Sequence, residues 1–256
     1  MRRVRVIPVL TLKNEKLVKT VKFNRSTYIG DPINAVKIFN EKEVDELVIL
    51  DITATTEKRE PNYSRIEEIA SEAFMPIAYG GGISNMDQVE SIFKLGVEKI
   101  VLNSSIEDNF SLVKEISKRY GSQSVIISVD VKTNLLGKLS VYSKGGSRKV
   151  KYSLTDYIKK VEEYGAGEIF LTSIDKDGTY NEYNYEMIKL VSSNCNLPVV
   201  SCGGAKNIAS FKKAIDLGSS AVAASSMFVY SAQGKGVLIN YPDQETLKNN
   251  LFNIIT

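Results

Sequence analysis

Histidine and tryptophan are absent from this 256-residue chain, and cysteine occurs only twice. Without an imidazole, no side chain with an unperturbed pKa near neutrality is at hand for acid–base chemistry. Cys195 and Cys202 stand alone, one in a turn and one in an apolar strand, with no second ligand pair. A zinc site is therefore not expected, and no metal or cofactor is implied. Long apolar runs are missing too: the amino-terminal run meets Pro8 and then the lysine-rich stretch 13–22. No signal peptide or membrane span can be read, and the cytoplasm is the default expectation. A large charge of either sign is also lacking. The net charge is +3, and only Met1-Arg2-Arg3-Val4-Arg5 and residues 144–151 are locally basic. That is too thin a patch for nucleic acid.

What is present is ordinary globular material, 43% hydrophobic and 25% charged, enough for one large core or two small ones. Its most informative feature is an internal repeat. Ala78-Tyr79-Gly80-Gly81-Gly82-Ile83-Ser84-Asn85 returns as Ser201-Cys202-Gly203-Gly204-Ala205-Lys206-Asn207, and Ser104-Ser105 returns as Ser225-Ser226, an offset of 121 to 122 residues. The segments 48–53 and 170–175 match likewise, as do 9–13 and 129–132 at a shorter offset.

Eight β-rich runs, at 4–10, 46–52, 75–79, 99–103, 124–130, 168–173, 197–202 and 221–224, alternate with segments of helical spacing. Asp31-Pro32 and Ser84-Asn85 read as helix starts. Eight βα units predict an α/β fold, a single (β/α)8 TIM barrel. A doubly wound sheet would leave the two halves unexplained. With no linker or low-complexity stretch, residues 1–256 read as one domain, with half-barrels at about 1–121 and 122–240 and a carboxy-terminal helix at 243–256.

In such a barrel the chemistry lies where the strands end. Gly81-Gly82 and Gly203-Gly204 are expected to open helices, where bare backbone N–H groups and the positive helix end can hold phosphate; the plainer reading is tight βα turns. Asn103, Ser104, Ser225 and Ser226 would add donors, so the two halves could grip a molecule with a phosphate at each end. Asp130 closes an apolar run and reads either as a general acid or base or as a loop cap. Asp175 and Asp177 read either as turn formers or as ligand binders.

Several motifs are long and in order: Ile7-Pro8, Asp45-Glu46-Leu47-Val48, Leu50-Asp51-Ile52-Thr53-Ala54, Gly80-Gly81-Gly82-Ile83, Gly121-Ser122-Gln123, Gly165-Ala166-Gly167-Glu168-Ile169 and Leu171-Thr172-Ser173-Ile174-Asp175-Lys176-Asp177-Gly178-Thr179. From about residue 4 to residue 228 the chain resembles HisF, the cyclase subunit of imidazole glycerol phosphate synthase. The resemblance implies a TIM barrel that receives ammonia from a HisH-type glutaminase at its bottom and uses it at a phosphate-rich mouth. It implies phosphate grips at Gly81, Gly82, Asn103 and Ser104, and at Asp177, Gly178, Gly203, Gly204 and Ser225, with Thr172 at the same strand-end level and a lid-loop lysine at Lys19.

One departure bears on catalysis. The family works with two aspartates, one ending the first strand of each half; Asp130 is the second, but Thr11 stands at the first. A threonine cannot exchange a proton near neutral pH, and losing an acid or base costs roughly 10²- to 10⁴-fold in rate. Rescue by Lys13 or Glu15 would need a different geometry.

Arg5, Glu46, Lys99 and Glu168 begin four strands and are turned by strand alternation toward one another, as a ring of alternating charge at the bottom. By itself this reads as a salt-bridge floor; the resemblance makes it an ammonia gate. Glu98 beside it is a candidate contact for the glutaminase. Ala78, Ser128 and Ser201 are expected to point inward and leave a path along the axis.

The tail 230–242 is unlike the histidine-pathway enzyme and is similar to the HisF-like acetamidino-modification branch (AglZ/WbuZ type), although Gly234 and Gly236 also suit a plain flexible turn. That branch implies a sugar amidotransferase as a further partner, converting an acetamido group on a bacterial surface sugar to an acetamidino group. The sequence thus leaves three functions open: an ammonia conduit for acetamidino formation, a true cyclase, or a non-catalytic scaffold for the glutaminase. In each, a phosphate-bearing small molecule is the expected ligand, with no nucleic acid and no membrane.

Overall fold

The computed structural model describes residues 4–107 and 109–252. Met1, Arg2 and Arg3 of the basic amino terminus, and 253–256 of the expected last helix, lie outside the described residues.

Among the described residues, twelve strands run in chain order as β1 (Arg5–Lys13), β2 (Lys16–Thr20), β3 (Ser26–Gly30), β4 (Leu47–Asp51), β5 (Ile77–Gly80), β6 (Lys99–Leu102), β7 (Val125–Thr133), β8 (Leu139–Ser143), β9 (Arg148–Lys149), β10 (Glu168–Ser173), β11 (Val199–Cys202) and β12 (Ala221–Ala224). Eight of them, β1, β4, β5, β6, β7, β10, β11 and β12, pair in parallel and close on themselves where Arg5 meets Ala221. This is the expected (β/α)8 barrel. The other four form antiparallel flaps, β2–β3 on β1 and β8–β9 on β7. The sequence reading missed both flaps. Their short strands gain partners because β1 and β7 run on to residues 13 and 133, three past their expected ends.

The helices are α1 (Pro32–Glu41), α2 (Tyr63–Glu72), α3 (Met86–Lys94), α4 (Ser111–Tyr120), α5 (Leu154–Glu163), α6 (Tyr185–Ser192), α7 (Ile208–Asp216), the short α8 (Ser226–Val229) and α9 (Gln244–Leu247). The chain continues from α9 into a π-type turn over Lys248–Phe252. Side-chain oxygens of Asp31, Asn62, Asn85, Ser153, Asn184 and Asn207 accept the orphan N–H groups that open six helices. The caps of α1, α2 and α3 recur 122 residues later at α5, α6 and α7. The repeat seen in the glycine motifs thus also fixes where helices begin. Each helix buries one apolar stripe, such as Val89 and Ile92 of α3, and each such side chain contributes roughly 1.5–3 kcal/mol.

The glycine pairs are steric necessities in both halves. A Cβ on Gly81 would lie 2.4 Å from the Asp51 carbonyl oxygen, and one on Gly203 would lie 2.6 Å from that of Ser173. At Gly204 the clash is 2.2 Å, with the Glu182 carbonyl, and all three residues hold positive φ. Neither pair opens a helix, contrary to expectation: α3 begins at Met86 behind Asn85, and α7 at Ile208 behind Asn207. The glycines instead let the chain pass close over the preceding strand end.

Two apolar clusters divide the core. The larger fills the space between strands and helices. The smaller, with Ile7, Val48, Ala78, Ile126, Phe170 and Val200 among its members, fills the barrel interior. Two expectations are corrected there. Ser201 faces outward, its hydroxyl 2.6 Å from that of Ser219, because Val200 and Cys202 take the inward positions. The axis is not left open by small residues; it is packed with apolar side chains, the bulky Phe170 included.

Candidate functional site

At the carboxyl ends of the strands lies a cavity of about 650 Å³. Thr11, Lys19, Gly81, Gly82, Asn103, Ser104, Asp130, Thr172, Asp177 and Ser225 line it, and its apolar floor is Val9, Leu50, Val101, Phe170 and Cys202. Gly178, Gly203 and Gly204 line a separate small hollow of about 10 Å³, together with Asp177, Ser225 and Ser226. Among the described residues, the Ser226 hydroxyl is buried with no hydrogen-bond partner. A buried hydroxyl left unsatisfied costs about 1–3 kcal/mol, so the hollow is suited to a polar guest.

Asp130 sits at the inner wall of the mouth, 7% exposed. The Ser128 hydroxyl donates to its Oδ1 at 3.1 Å, and the Asn103 amide donates to its Oδ2 at 3.2 Å. Burial pushes its carboxyl up to about 7; nearby Asp177 adds to the rise and the Ser128 hydrogen bond opposes it. At neutral pH such a group holds and releases a proton with comparable ease, as a general acid or base must.

Thr11 occupies the matching place in the first half, but its hydroxyl donates to the Val18 carbonyl and is spent on the flap. Lys19 is a strand residue of β2 rather than part of a loop. Its ammonium pairs with both Asp177 oxygens, at 2.8 and 3.0 Å, with both side chains buried. Asn103 and Ser104, expected as phosphate donors, are already committed. The Asn103 amide also reaches the Ser128 carbonyl at 3.0 Å, while the Ser104 hydroxyl donates to Asn103 Oδ1 and accepts from the Lys144 backbone N–H. Asp175, left open between turn former and ligand binder, instead accepts the backbone N–H of distant Thr133 at 2.6 Å.

Asp51, expected at the mouth as a strand-end residue but given no role, lines the cavity. Asp51 accepts the backbone N–H groups of Thr53 and Ala54 at 3.0 Å and pairs with Arg59 at 3.2 Å. Lys13, Arg25 and Lys144 bring further positive charge to the cavity wall. The contact of Ser128 with Asp130 did escape the sequence reading, although strand alternation places residue 128 on the face of residue 130. Arg25 stands in a loop whose direction nothing in the sequence announced.

At the opposite end the structure brings the four charged residues together. Arg5 binds Glu46 and Glu168, while Lys99 Nζ lies 2.8 Å from Glu46 and 3.6 Å from Glu168. Burial opposes the charge on Arg5, but the two carboxylates overcome it and raise its pKa. Glu98 is exposed beside this ring, with one carboxylate oxygen held by the Ile77 backbone N–H at 2.7 Å. Between ring and mouth lies the apolar packing of the barrel interior.

The tail folds over the mouth side of the second half. Gln233 donates to the Thr179 carbonyl at 3.2 Å, and Tyr230 bridges to Val237. Gly234 turns the tip at φ +69° with open space around it. Among the described residues, no cluster of three metal-ligating side chains occurs, and no helix is long and apolar enough to cross a membrane.

Residues 5–234 match a family model described as "Histidine biosynthesis protein". Two relatives described as "Putative imidazole glycerol phosphate synthase subunit" are hisF2 of Pseudomonas aeruginosa and HisF of Leptospira borgpetersenii. The first is 49% identical over 96% of this chain and 98% of its own length. The second is 47% identical over 96% and 99%. A protein of Endomicrobium trichonymphae named imidazole glycerol phosphate synthase subunit HisF is 37% identical over 89% of this chain and 87% of its own length.

Proposed function

The chain belongs to the histidine biosynthesis protein family, in its HisF branch, and we propose that it is the ammonia-using synthase subunit of a glutamine-dependent complex. A HisH-like glutaminase docks at the bottom, with Glu98 among its contacts, and releases ammonia against the ring of Arg5, Glu46, Lys99 and Glu168. The ring parts, and neutral ammonia crosses the apolar interior, where it is shielded from the protonation that would end its nucleophilicity. At the mouth it meets an acceptor held by its phosphate groups, and Asp130 moves the protons. The observation that carries this reading is Asp130: a buried carboxyl poised near neutrality directly above an apolar core whose far end is ionic.

The names of the relatives support imidazole glycerol phosphate synthesis as the chemistry at the mouth. Glutamine-dependent or ammonia-dependent turnover of the phosphoribosyl-formimino substrate by the purified complex tests it. Measurable turnover by the unaltered chain, slowed by the carboxyl that Thr11 replaces, is the expected result; its absence, with recovery on Thr11→Asp, favours the second reading.

That second reading is drawn by Thr11 and by the tail. In it, ammonia passes to a sugar amidotransferase that makes an acetamidino group on a bacterial surface sugar, and the mouth serves delivery rather than cyclisation. A scaffold that activates the glutaminase without carrying ammonia is separated from both by labelled glutamine nitrogen, which in that case never reaches product through the barrel.

A further inference from the structure

Thr11 stands at the register position that Asp130 holds in the other half, so in the proposed function a single carboxyl takes a proton and returns it. Such a group needs partners that tolerate both of its charge states at one geometry. Asn103 Nδ2 on Oδ2 can only donate, so it holds that oxygen as an acceptor in both charge states and leaves the proton to Oδ1. Ser128 Oγ on Oδ1 is different: a hydroxyl donates to a carboxylate and, by rotating about its C–O bond, accepts from a carboxylic acid.

We propose that Ser128 is a positioning residue that lets Asp130 act as acid and base in turn from one place in the mouth. Ser128 lies two residues earlier on the same strand face, 6% exposed, at the level where the apolar interior meets the cavity. Its own carbonyl accepts the Asn103 amide at 3.0 Å, so one short network fixes both carboxylate oxygens. When Asp130 takes a proton from the substrate, the acid O–H turns to the Ser128 oxygen, whose hydroxyl rotates away. When the proton is returned, the hydroxyl rotates back. No atom is lost and no further reactant is needed. Each carboxylate oxygen keeps a second lone pair for the substrate.

Other charges act on Asp130, and none can replace this switch. Asp177 raises its pKa from across the mouth while bound to Lys19. Tyr157 and Cys202, both buried, feel its charge but have pKa values pushed above their own ordinary range. Asp51, Lys13, Arg25 and Lys144 face the same cavity and can donate, or pair with, charge only at a distance.

This inference rests on Asp130 being the proton-transfer group, and the test separates the two. The protein is labelled with ¹³C at aspartate carboxyls, and the Asp130 signal, identified by its loss in Asp130→Asn, is followed through pH with no substrate present. In Ser128→Ala the carboxylate loses a charge-assisted donor, so the titration midpoint moves upward by roughly one pH unit. Ser128→Thr keeps the hydroxyl and stays near the original midpoint. In turnover with ammonia, Ser128→Ala loses about tenfold in kcat with little change in KM, and its pH profile shifts in the same direction. An unchanged midpoint in Ser128→Ala, or an equal shift in Ser128→Thr, overturns the proposal. Full turnover by Asp130→Asn removes the reading of Asp130 itself, while the titration still decides what Ser128 does.

Discussion

Thr11 and Asp130 hold the same register position in the two halves of the barrel. Thr11 stands opposite Val18 of its flap and Leu50 of the next barrel strand; Asp130 stands opposite Tyr142 of its flap and Thr172 of the next barrel strand. The fold therefore keeps a place for a second carboxyl, and the chain puts a hydroxyl there.

Restoring the pair tests what that hydroxyl costs. Thr11→Asp should raise turnover of the formimino substrate by about 10²-fold or more if cyclisation is limited by the missing group. Steady-state assays with ammonia, which bypass the glutaminase, measure it.

Asp130→Asn should lower turnover at the mouth by roughly 10²- to 10⁴-fold while glutamine hydrolysis by the docked partner persists. Product formation and glutamate release, followed in one reaction, separate the two activities.

The same substitution has a consequence for stability. The folded carboxyl titrates at about 7, above its ordinary value of 3.8, so the native state binds this proton more tightly than the unfolded chain does. Between about pH 4 and pH 7 this group's contribution to stability therefore falls as pH rises. Asp130→Asn should be the more stable protein at pH 8, by on the order of 3 kcal/mol, with the advantage gone near pH 4. Urea unfolding at the two pH values checks it; equal gains at both would contradict the assignment.

At the floor, Lys99→Met leaves Glu46 and Glu168, both buried, sharing Arg5 alone. Stability should drop by about 3 kcal/mol. Glutamine-driven turnover should lose its coupling to glutamate release, while turnover on added ammonia survives. A coupling ratio unaltered by the substitution speaks for a purely structural floor.

Gly204→Ala adds a methyl 2.2 Å from the Glu182 carbonyl at φ +107°. A loss of more than about 2 kcal/mol is expected, read as a lowered thermal midpoint, with the mouth of the second half disturbed. Gly234→Ala, in open space at φ +69°, should cost only about 1 kcal/mol.

Period and repetition in the chain were enough to determine the eight barrel strands, the helix starts at Asp31-Pro32 and Ser84-Asn85, the glycine pairs and the four charged strand starts. Each of these depends on local chemistry: alternation turns residues to one face, a short polar side chain satisfies the N–H groups a few residues on, and a missing Cβ permits a close approach. Only the tertiary structure decided the rest. It spent the hydroxyl of Thr11 on a flap that exists because β1 is extended, and it bound Lys19 to Asp177 across 158 residues. It filled the axis with Phe170 and its neighbours, and it gave Asp130 a near-neutral carboxyl. Those outcomes depend on which distant groups share a desolvated space, and neither burial nor its electrostatic cost is carried by any one segment of the chain.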